Sequence, residues 1–515
     1  MNQFFKNEKQ HLLRFVRESK PLIIVTLFFI ILTYGIKLAY LDYSIDTEAI
    51  ITNFGGQMAA WRTIDRIGLV FSKKLFSQNF FNPFVANFLT YFFLFLTCFL
   101  LCYLIYRILG KYTNKIGLLS LTIIFLTHPI FAEQFNFILQ SFEVSLAMFF
   151  IVLALLLTYF SIETKKILFA LPAIILVSWA FLTYQSLLLF YIAGAIASVL
   201  LILHVQQNET SDFKLMDYCF IILKYLIVFV GSLILAKALI YLNSKLITTA
   251  GSAYLSQQIL WGKLPLDDIL DRITTQIKIA VLGKGLFYNY SFLLTILLTV
   301  PILISKIIKK VHFIYLEIFC LALLYLSPFL LTIFIGNAEA IRAQMPTVQF
   351  VIAFNFYYVL LHFKNNILQK ILFIVSIIIA FQQSTTTANL LYSEHVKFNE
   401  DVTFANRINT QLDSLGINNP SDYSLLILGA HTPKSSALIP GESLSHSFFA
   451  WDIGTTYGTS IRTVGFMNTL GYPFKLPNEN DAILGSTIRE ELSNFPSKNS
   501  IKIVDKTIFI KLSDD

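Results

Sequence analysis

Charge is scarce in this chain. Asp, Glu, Lys and Arg together make up 14% of its 515 residues, against 56% hydrophobic residues, whereas a soluble globular protein carries about 25% charged residues. With 50 Phe as well, the apolar excess is too large for a water-soluble core of this size, and the bilayer is the obvious solvent for it. Cysteine is nearly absent. Cys98, Cys102, Cys219 and Cys320 lie inside or beside apolar runs, with no CxxC pair and no Cys/His cluster at metal-ligand spacing. Neither a disulfide framework nor a bound metal is therefore expected, and no cofactor is called for. No Gly-rich phosphate loop, Ser-His-Asp order or dinucleotide fingerprint occurs. The apolar runs hold no chain of Asp, Glu or His of the kind a proton-coupled transporter needs, and no obvious pair of Gly/Pro-broken helices. There is no internal repeat.

What is present is a series of long apolar runs. A membrane span needs about 20 mostly apolar residues, and candidates fall at 21–41, 85–106, 117–132, 142–160, 167–183, 186–204, 217–241, 286–305, 313–335, 346–363 and 367–387. Backbone groups in lipid must be satisfied within the segment, so these predict about eleven helices. The first run has the length of a full span and lacks a small-residue cleavage site, and reads as a retained helix. The formal charge of +8 does not point to nucleic acid, because most Lys and Arg flank the apolar runs. With Lys6, Lys9, Arg14, Arg17 and Lys20 placed in the cytoplasm, Arg107, Lys111, Lys115, Lys165, Lys166, Lys214, Lys306, Lys309, Lys310, Lys364 and Lys370 also fall inside. The short outside turns near 133–141 and 183–186 carry no Lys or Arg. The chain is thus expected to be a multi-pass inner-membrane protein with its N-terminus cytoplasmic and its C-terminus outside.

Three sizeable pieces then face outward: 42–84, 242–285 and the tail 388–515. The expected organisation is a mainly α transmembrane helical bundle over 1–387 and a small α/β extracytoplasmic domain over 388–515. In the tail, 394–415 reads as a polar helix ending at Gly416. Leu425-Leu426-Ile427-Leu428 reads as a buried strand, and Ile501-Lys502-Ile503-Val504 and Thr507-Ile508-Phe509-Ile510 as a hairpin turning at Asp505-Lys506.

The residues able to do chemistry gather at the outer ends of the spans. Asp42, Asp46 and Glu48 follow the first span, and Asp42 and Asp46 share a face if the helix continues. A carboxylate there can act as general base toward a sugar hydroxyl; a solvated helix end is the plainer reading. Trp61, Ile64, Ile67, Gly68 and Phe71 repeat at helical spacing, which predicts an amphipathic helix in the interface plane. It presents Arg62 and Arg66 together, either to phosphate oxygens or simply to lipid headgroups. His128, Glu133, Gln134, Asn136, Gln140 and Glu143 form a second polar cluster, with Tyr184 at similar depth; ionisable groups so close to hydrocarbon usually face a cavity or a partner. Arg342 is a candidate phosphate clamp, with pairing to Glu339 as the structural alternative. Lys37 and Lys237 are expected to snorkel. Asp267, Asp268 and Asp271 read as the N-terminal face of a helix.

The element Ile45-Asp46-Thr47-Glu48 after a first helix resembles the bacterial Gtr-type glucosyltransferases, the serotype-converting enzymes that decorate O-antigen. The Trp61-Arg62 stretch is similar to their aromatic/basic interfacial segment. Ser447-Phe448-Phe449-Ala450-Trp451-Asp452, Arg462 and Gly465-Phe466-Met467-Asn468 are similar to their C-terminal outside segment. The resemblance implies a type C glycosyltransferase with its active site on the outer face. It also implies an undecaprenyl-phosphate-linked sugar donor, typically of glucose, and a surface polysaccharide or lipid-linked oligosaccharide as acceptor. Transfer is implied to invert the anomeric centre. A carboxylate of the first outside loop is the implied base, which carries over to Asp46 or Glu48, with Thr47 at the intervening position. Arg62, Arg66 and Arg342 are then the expected contacts to the phosphate, and Trp61 and Tyr184 are aromatics available to the sugar or the lipid. A polysaccharide polymerase or ligase and a lipid-linked sugar flippase are the competing classes. The uncharged spans count against a flippase, and the position of the large outer piece, in the tail, counts against a polymerase.

Overall fold

The computed structural model describes residues 2–77, 79–209, 214–246, 258–363 and 365–514. Among them, nine helices are long and apolar enough to cross a membrane: Lys20–Ala39, Pro83–Tyr112, Ser141–Thr164, Leu187–Asn208, Leu215–Leu246, Ser291–Ile308, Ile314–Ile335, Ile341–His362 and Asn366–Ser414. A shorter apolar helix, Ile167–Thr183, lies between the third and fourth of these. The remaining expected span, 117–132, is a bent pair, Lys115–Thr127 and Ile130–Asn136, turned by 55°. The break falls at His128-Pro129, where proline forbids a continuous helix. Asn82, Asn114 and Asn365 each cap a helix start by accepting backbone N–H bonds, satisfying donors that the helix itself leaves open.

The bundle has two distinct ends. At one, the amphipathic helix Asn2–Glu18 lies against the spans, and Arg107 links Glu8 and Glu163 at 2.9 Å each. At the other stand the connections around residues 42–82, 130–140 and 336–346, together with the tail. Of the segment 242–285, residues 247–257 lie outside the described residues. Leu266–Val281 is a helix with Asp267 and Asp268 in its first turn.

The stretch 42–82 departs from the expected geometry. The first span ends at Ala39, Tyr40 is extended, and Asp46 is left-handed (φ 70°) before the short helix Thr47–Thr52. Asp42 and Asp46 therefore do not share a helix face. The predicted amphipathic helix is two helices, Phe54–Thr63 and Ile67–Ser77, separated by a turn in which Asp65 has φ 64°.

Asn366–Ser414 is one helix of 49 residues. At 1.5 Å per residue it is roughly 70 Å long, more than twice the ~30 Å hydrocarbon thickness. Its first half exposes Ile367, Ile371, Ile374 and Ile378. Its second half buries Glu394, Lys397 and Asp401 against the tail. Residue 388 thus lies within an unbroken helix. Beyond it, β1 (Ser424–Leu428), β2 (Ile501–Val504) and β3 (Thr507–Lys511) form a sheet of order β1-β3-β2, parallel between β1 and β3 and antiparallel in the hairpin. Helices Ser460–Thr469 and Glu479–Ile488 occupy the long β1–β2 connection, the first of them lying on Thr47–Thr52.

Candidate functional site: an acidic cluster at the tail end of the bundle

The exit of the first span is pinned by a buried ion pair. Lys37 Nζ lies 2.7 Å from Asp42 Oδ1 and also donates to Asn136 Oδ1 at 3.2 Å. Lys37 is fully buried, so it is committed to Asp42 rather than snorkelling. His395 Nδ1 lies 3.4 Å from the other Asp42 oxygen, and its ring stacks on Tyr40 at 4.0 Å. Two residues on, Ser44 Oγ donates to the Asn136 carbonyl at 3.0 Å. These contacts turn the chain so that Asp46 and Glu48 face the tail.

There the two carboxylates meet Arg462, on the helix Ser460–Thr469. Its Nη1 is 2.5 Å from Asp46 and 3.0 Å from Glu48, while its Nε donates to Asp452 at 2.7 Å. Glu48 is 2% exposed, and its Oε2 is buried with no hydrogen-bond partner among the described residues. Burial pushes the Glu48 carboxyl up to about 7; Arg462 opposes this and the negative charge of Asp46 adds to it. For Arg462, burial works against the charge, but Asp46 and Glu48 outweigh it and raise the guanidinium above its ordinary value. The fit is close: a Cβ on Gly465 would stand 2.7 Å from Glu48 Cγ, so only glycine admits this packing.

A second junction lies beside the first. Glu133 Oε2 accepts from the Ser443 backbone N–H at 3.0 Å and from its hydroxyl at 2.6 Å, and Oε1 accepts from the Glu442 N–H. A Cβ on Gly441 would collide with Glu133 Oε1. Glu442 in turn accepts from the Ile341 N–H at 2.6 Å and lies 3.9 Å from Arg342, whose guanidinium sits 4.2 Å over Phe137. Arg342 is therefore paired with Glu442. Glu339 instead accepts from Thr332 at 2.8 Å, and burial lifts its carboxyl to about 8.

Arg66 donates to Gln140 at 2.7 Å and lies over the Tyr184 ring at 5.4 Å. Arg66 and Arg342 thus both reach the turn 136–140. Arg62 is exposed and lies on the other side of the Asp65 turn, so the two arginines do not present together. Trp61 is 3% exposed and belongs with Met58, Leu69 and Phe142 to the hydrophobic cluster at the tail end of the bundle.

Sequence reasoning singled out Arg462 only within the tail segment of the family resemblance, and left Asp452 and His395 without a role. One signal was available: Arg462 is the only Lys or Arg between Lys434 and Lys475. Among the described residues no group of three His, Cys, Asp or Glu side chains is arranged to hold a metal ion; the positive charge at the centre of the acidic cluster is that of Arg462. The arrangement suits proton transfer, since a buried carboxylate titrating near neutrality with an unused oxygen can take a proton from a hydroxyl.

Against known proteins, residues 35–360 match the glucosyl transferase GtrII family. No curated protein and no solved structure matches. The matched region takes in the first-span exit, Asp46, Glu48, Arg66, Glu133 and Arg342, and it covers well over half of the chain: this multi-pass membrane protein belongs to the GtrII glucosyl transferase family.

Proposed function

We propose that this glucosyltransferase takes a glucosyl group from a polyprenyl-phosphate carrier, undecaprenyl phosphate in bacteria, and adds it to a surface polysaccharide such as O-antigen. Transfer takes place at the outer face of the inner membrane, with the N-terminus cytoplasmic and the tail periplasmic. Glu48 is the base, and Asp46 and Arg462 set its charge. Glu48 removes the proton of an acceptor hydroxyl as that oxygen attacks the anomeric carbon. The bond to the carrier phosphate breaks on the opposite face with inversion, and the lipid phosphate leaves with the electron pair. Arg342 and Arg66, at the turn 136–140, are the cations for that phosphate, and Arg62 is exposed at the interface to meet it. Asp42, committed to Lys37, positions the loop. Glu133 holds the 441–443 loop in place, Tyr184 orients Arg66, and Trp61 anchors the outer core.

The observation that carries this reading is the buried oxygen of Glu48 that has no partner among the described residues, nine residues beyond the end of an apolar span at Ala39, where a lipid-borne donor and a water-borne acceptor can meet. The test is mass analysis of the surface polysaccharide from cells carrying the wild-type gene, no gene, or Glu48→Gln. The expected result is an added hexose with the wild type alone, at unchanged protein level in the membrane. An unaltered polysaccharide with the wild-type gene, or a full hexose with Glu48→Gln, overturns it.

A further inference from the structure

At the end of the bundle opposite the tail, a cavity of about 420 Å³ opens between Leu187–Asn208, Ser291–Ile308 and Thr347–His362. Arg342 and His362 mark the two ends of one 22-residue span, so this cavity lies roughly 30 Å from the Arg342 junction and is separate from the acidic cluster.

Its polar wall is pre-ordered. His362 Nδ1 donates to the Tyr358 carbonyl at 2.8 Å, and its Nε2 lies 3.2 Å from His204 Nδ1. Lys306 is held 2.5 Å from Glu317 and also donates to Gln207 at 3.1 Å. Lys309 lines the same cavity and is exposed, as is Lys310 beyond it. Glu317 offsets the charge of Lys306, which leaves Lys309 as the exposed cation at the opening.

The cavity does not open only to water. An apolar groove of about 320 Å³ shares Pro301, Ser305 and Lys309 with it and continues along Ile304 and Ile308, which are 51% and 75% exposed on a membrane-spanning helix. Pro301 lies within that helix, where its ring disturbs the preceding turn. A cavity edged by lysine, histidine and amide side chains and joined to an apolar groove on a lipid-facing helix has the two-part shape of a phospholipid, and basic pockets between spans are where anionic headgroups bind.

We propose that this cavity and groove hold one anionic phospholipid of the surrounding leaflet, its phosphate at Lys309, beside the Lys306–Glu317 pair, and an acyl chain along Ile304 and Ile308. The site does not depend on the transfer reaction, and its test does not use it. Full-length protein in neutral detergent would be titrated with phosphatidylglycerol, phosphatidylcholine or inorganic phosphate, with bound lipid counted by native mass spectrometry and unfolding temperature followed alongside. Phosphatidylglycerol alone should bind tightly and raise the unfolding temperature. Lys309→Gln should weaken it roughly five-fold, the loss expected for one basic residue near an anionic surface. Ile304→Trp, which fills the groove, should abolish it. Lys166→Gln, an exposed lysine at the same end of the bundle, should leave it unchanged. Equal protection by inorganic phosphate would mean a soluble-anion site, and equal protection by phosphatidylcholine a generic annular contact. An equal loss from Lys166→Gln would mean diffuse surface attraction. Any of these three results overturns the proposal.

Discussion

Glu48 owes its near-neutral titration to burial and to two charged neighbours that can be removed one at a time. Burial raises it, Arg462 lowers it, and the negative charge of Asp46 raises it. A base works deprotonated, so transfer should rise with pH through about 7 and level off above it. The stability effect runs the other way. The folded carboxyl holds its proton more tightly than an unfolded one, so the stabilisation from Glu48 is complete at acid pH and is lost as pH climbs through its folded value. Glu48→Gln should lower the rate by about 100-fold or more, the usual worth of a general base. Asp46→Asn separates the two carboxylates. With Glu48 as base it removes a like charge and frees Arg462 for Glu48, so the pH midpoint should move down while activity survives. Abolished transfer in Asp46→Asn with a normal profile in Glu48→Gln would make Asp46 the base. Arg462→Ala should move the midpoint above 7, read from the same pH–rate curves; an unmoved midpoint would remove Arg462 from the control of Glu48.

Elements were legible in the sequence to the extent that their burial is local. Ten of the eleven apolar runs fall on one helical segment each and 117–132 on a bent pair, because bilayer and backbone impose helix within the segment, and the β2–β3 hairpin follows from its short strands and the Asp505-Lys506 turn. The bend at His128-Pro129 was missed because proline's effect was outweighed by an uninterrupted hydropathy signal. The break after Thr63 was missed because helical spacing was read across the Asp65 turn. Contacts between distant elements left no such pattern: Glu48 and Arg462 are 414 positions apart, and no periodicity relates them. Two further predictions belong to this scale. Gly465 lets the helix Ser460–Thr469 lie on Thr47–Thr52, so Gly465→Ala should displace Glu48 and cut transfer while Gly471→Ala, which meets open space but is strained by its φ of 92°, should affect stability without that loss. Lys73, on Ile67–Ser77, is fully buried 2.6 Å from Glu143 on Ser141–Thr164, with Phe142 and Phe81 at its ammonium. Breaking a buried pair from one side costs about 3–5 kcal/mol. Lys73→Met should therefore lower the unfolding temperature in detergent sharply, and Lys73→Met with Glu143→Leu should recover most of the loss; a double variant no better than the single would show that the pair is not what joins these helices.

For the whole molecule, everything proposed about the reaction depends on which side of the membrane the acidic cluster faces. The long helix Asn366–Ser414 ties this to the tail: its second half holds the tail through Asp401, which accepts from Ser447 at 2.6 Å, and through Glu394, which accepts from the Ser445 N–H at 2.6 Å. The tail, in turn, carries Arg462 to Glu48. Tail and acidic cluster must therefore share a compartment, and one accessibility measurement decides both. Cys98, Cys102 and Cys320 are buried, and Cys219 is exposed on the span Leu215–Leu246, so Cys219→Ser gives a background that a charged thiol reagent should leave unlabelled. On that background Lys498→Cys, in the tail, should label in intact spheroplasts, and Lys9→Cys, in the helix Asn2–Glu18, only after the membrane is opened. The basic residues crowded at the N-terminal-helix end favour this orientation. The reverse pattern would put Glu48 in the cytoplasm, where acceptor polysaccharide on the outer face is out of reach. The same chemistry would then have to act on an acceptor still being built inside, although the family, the fold and the geometry of the cluster would stand unchanged.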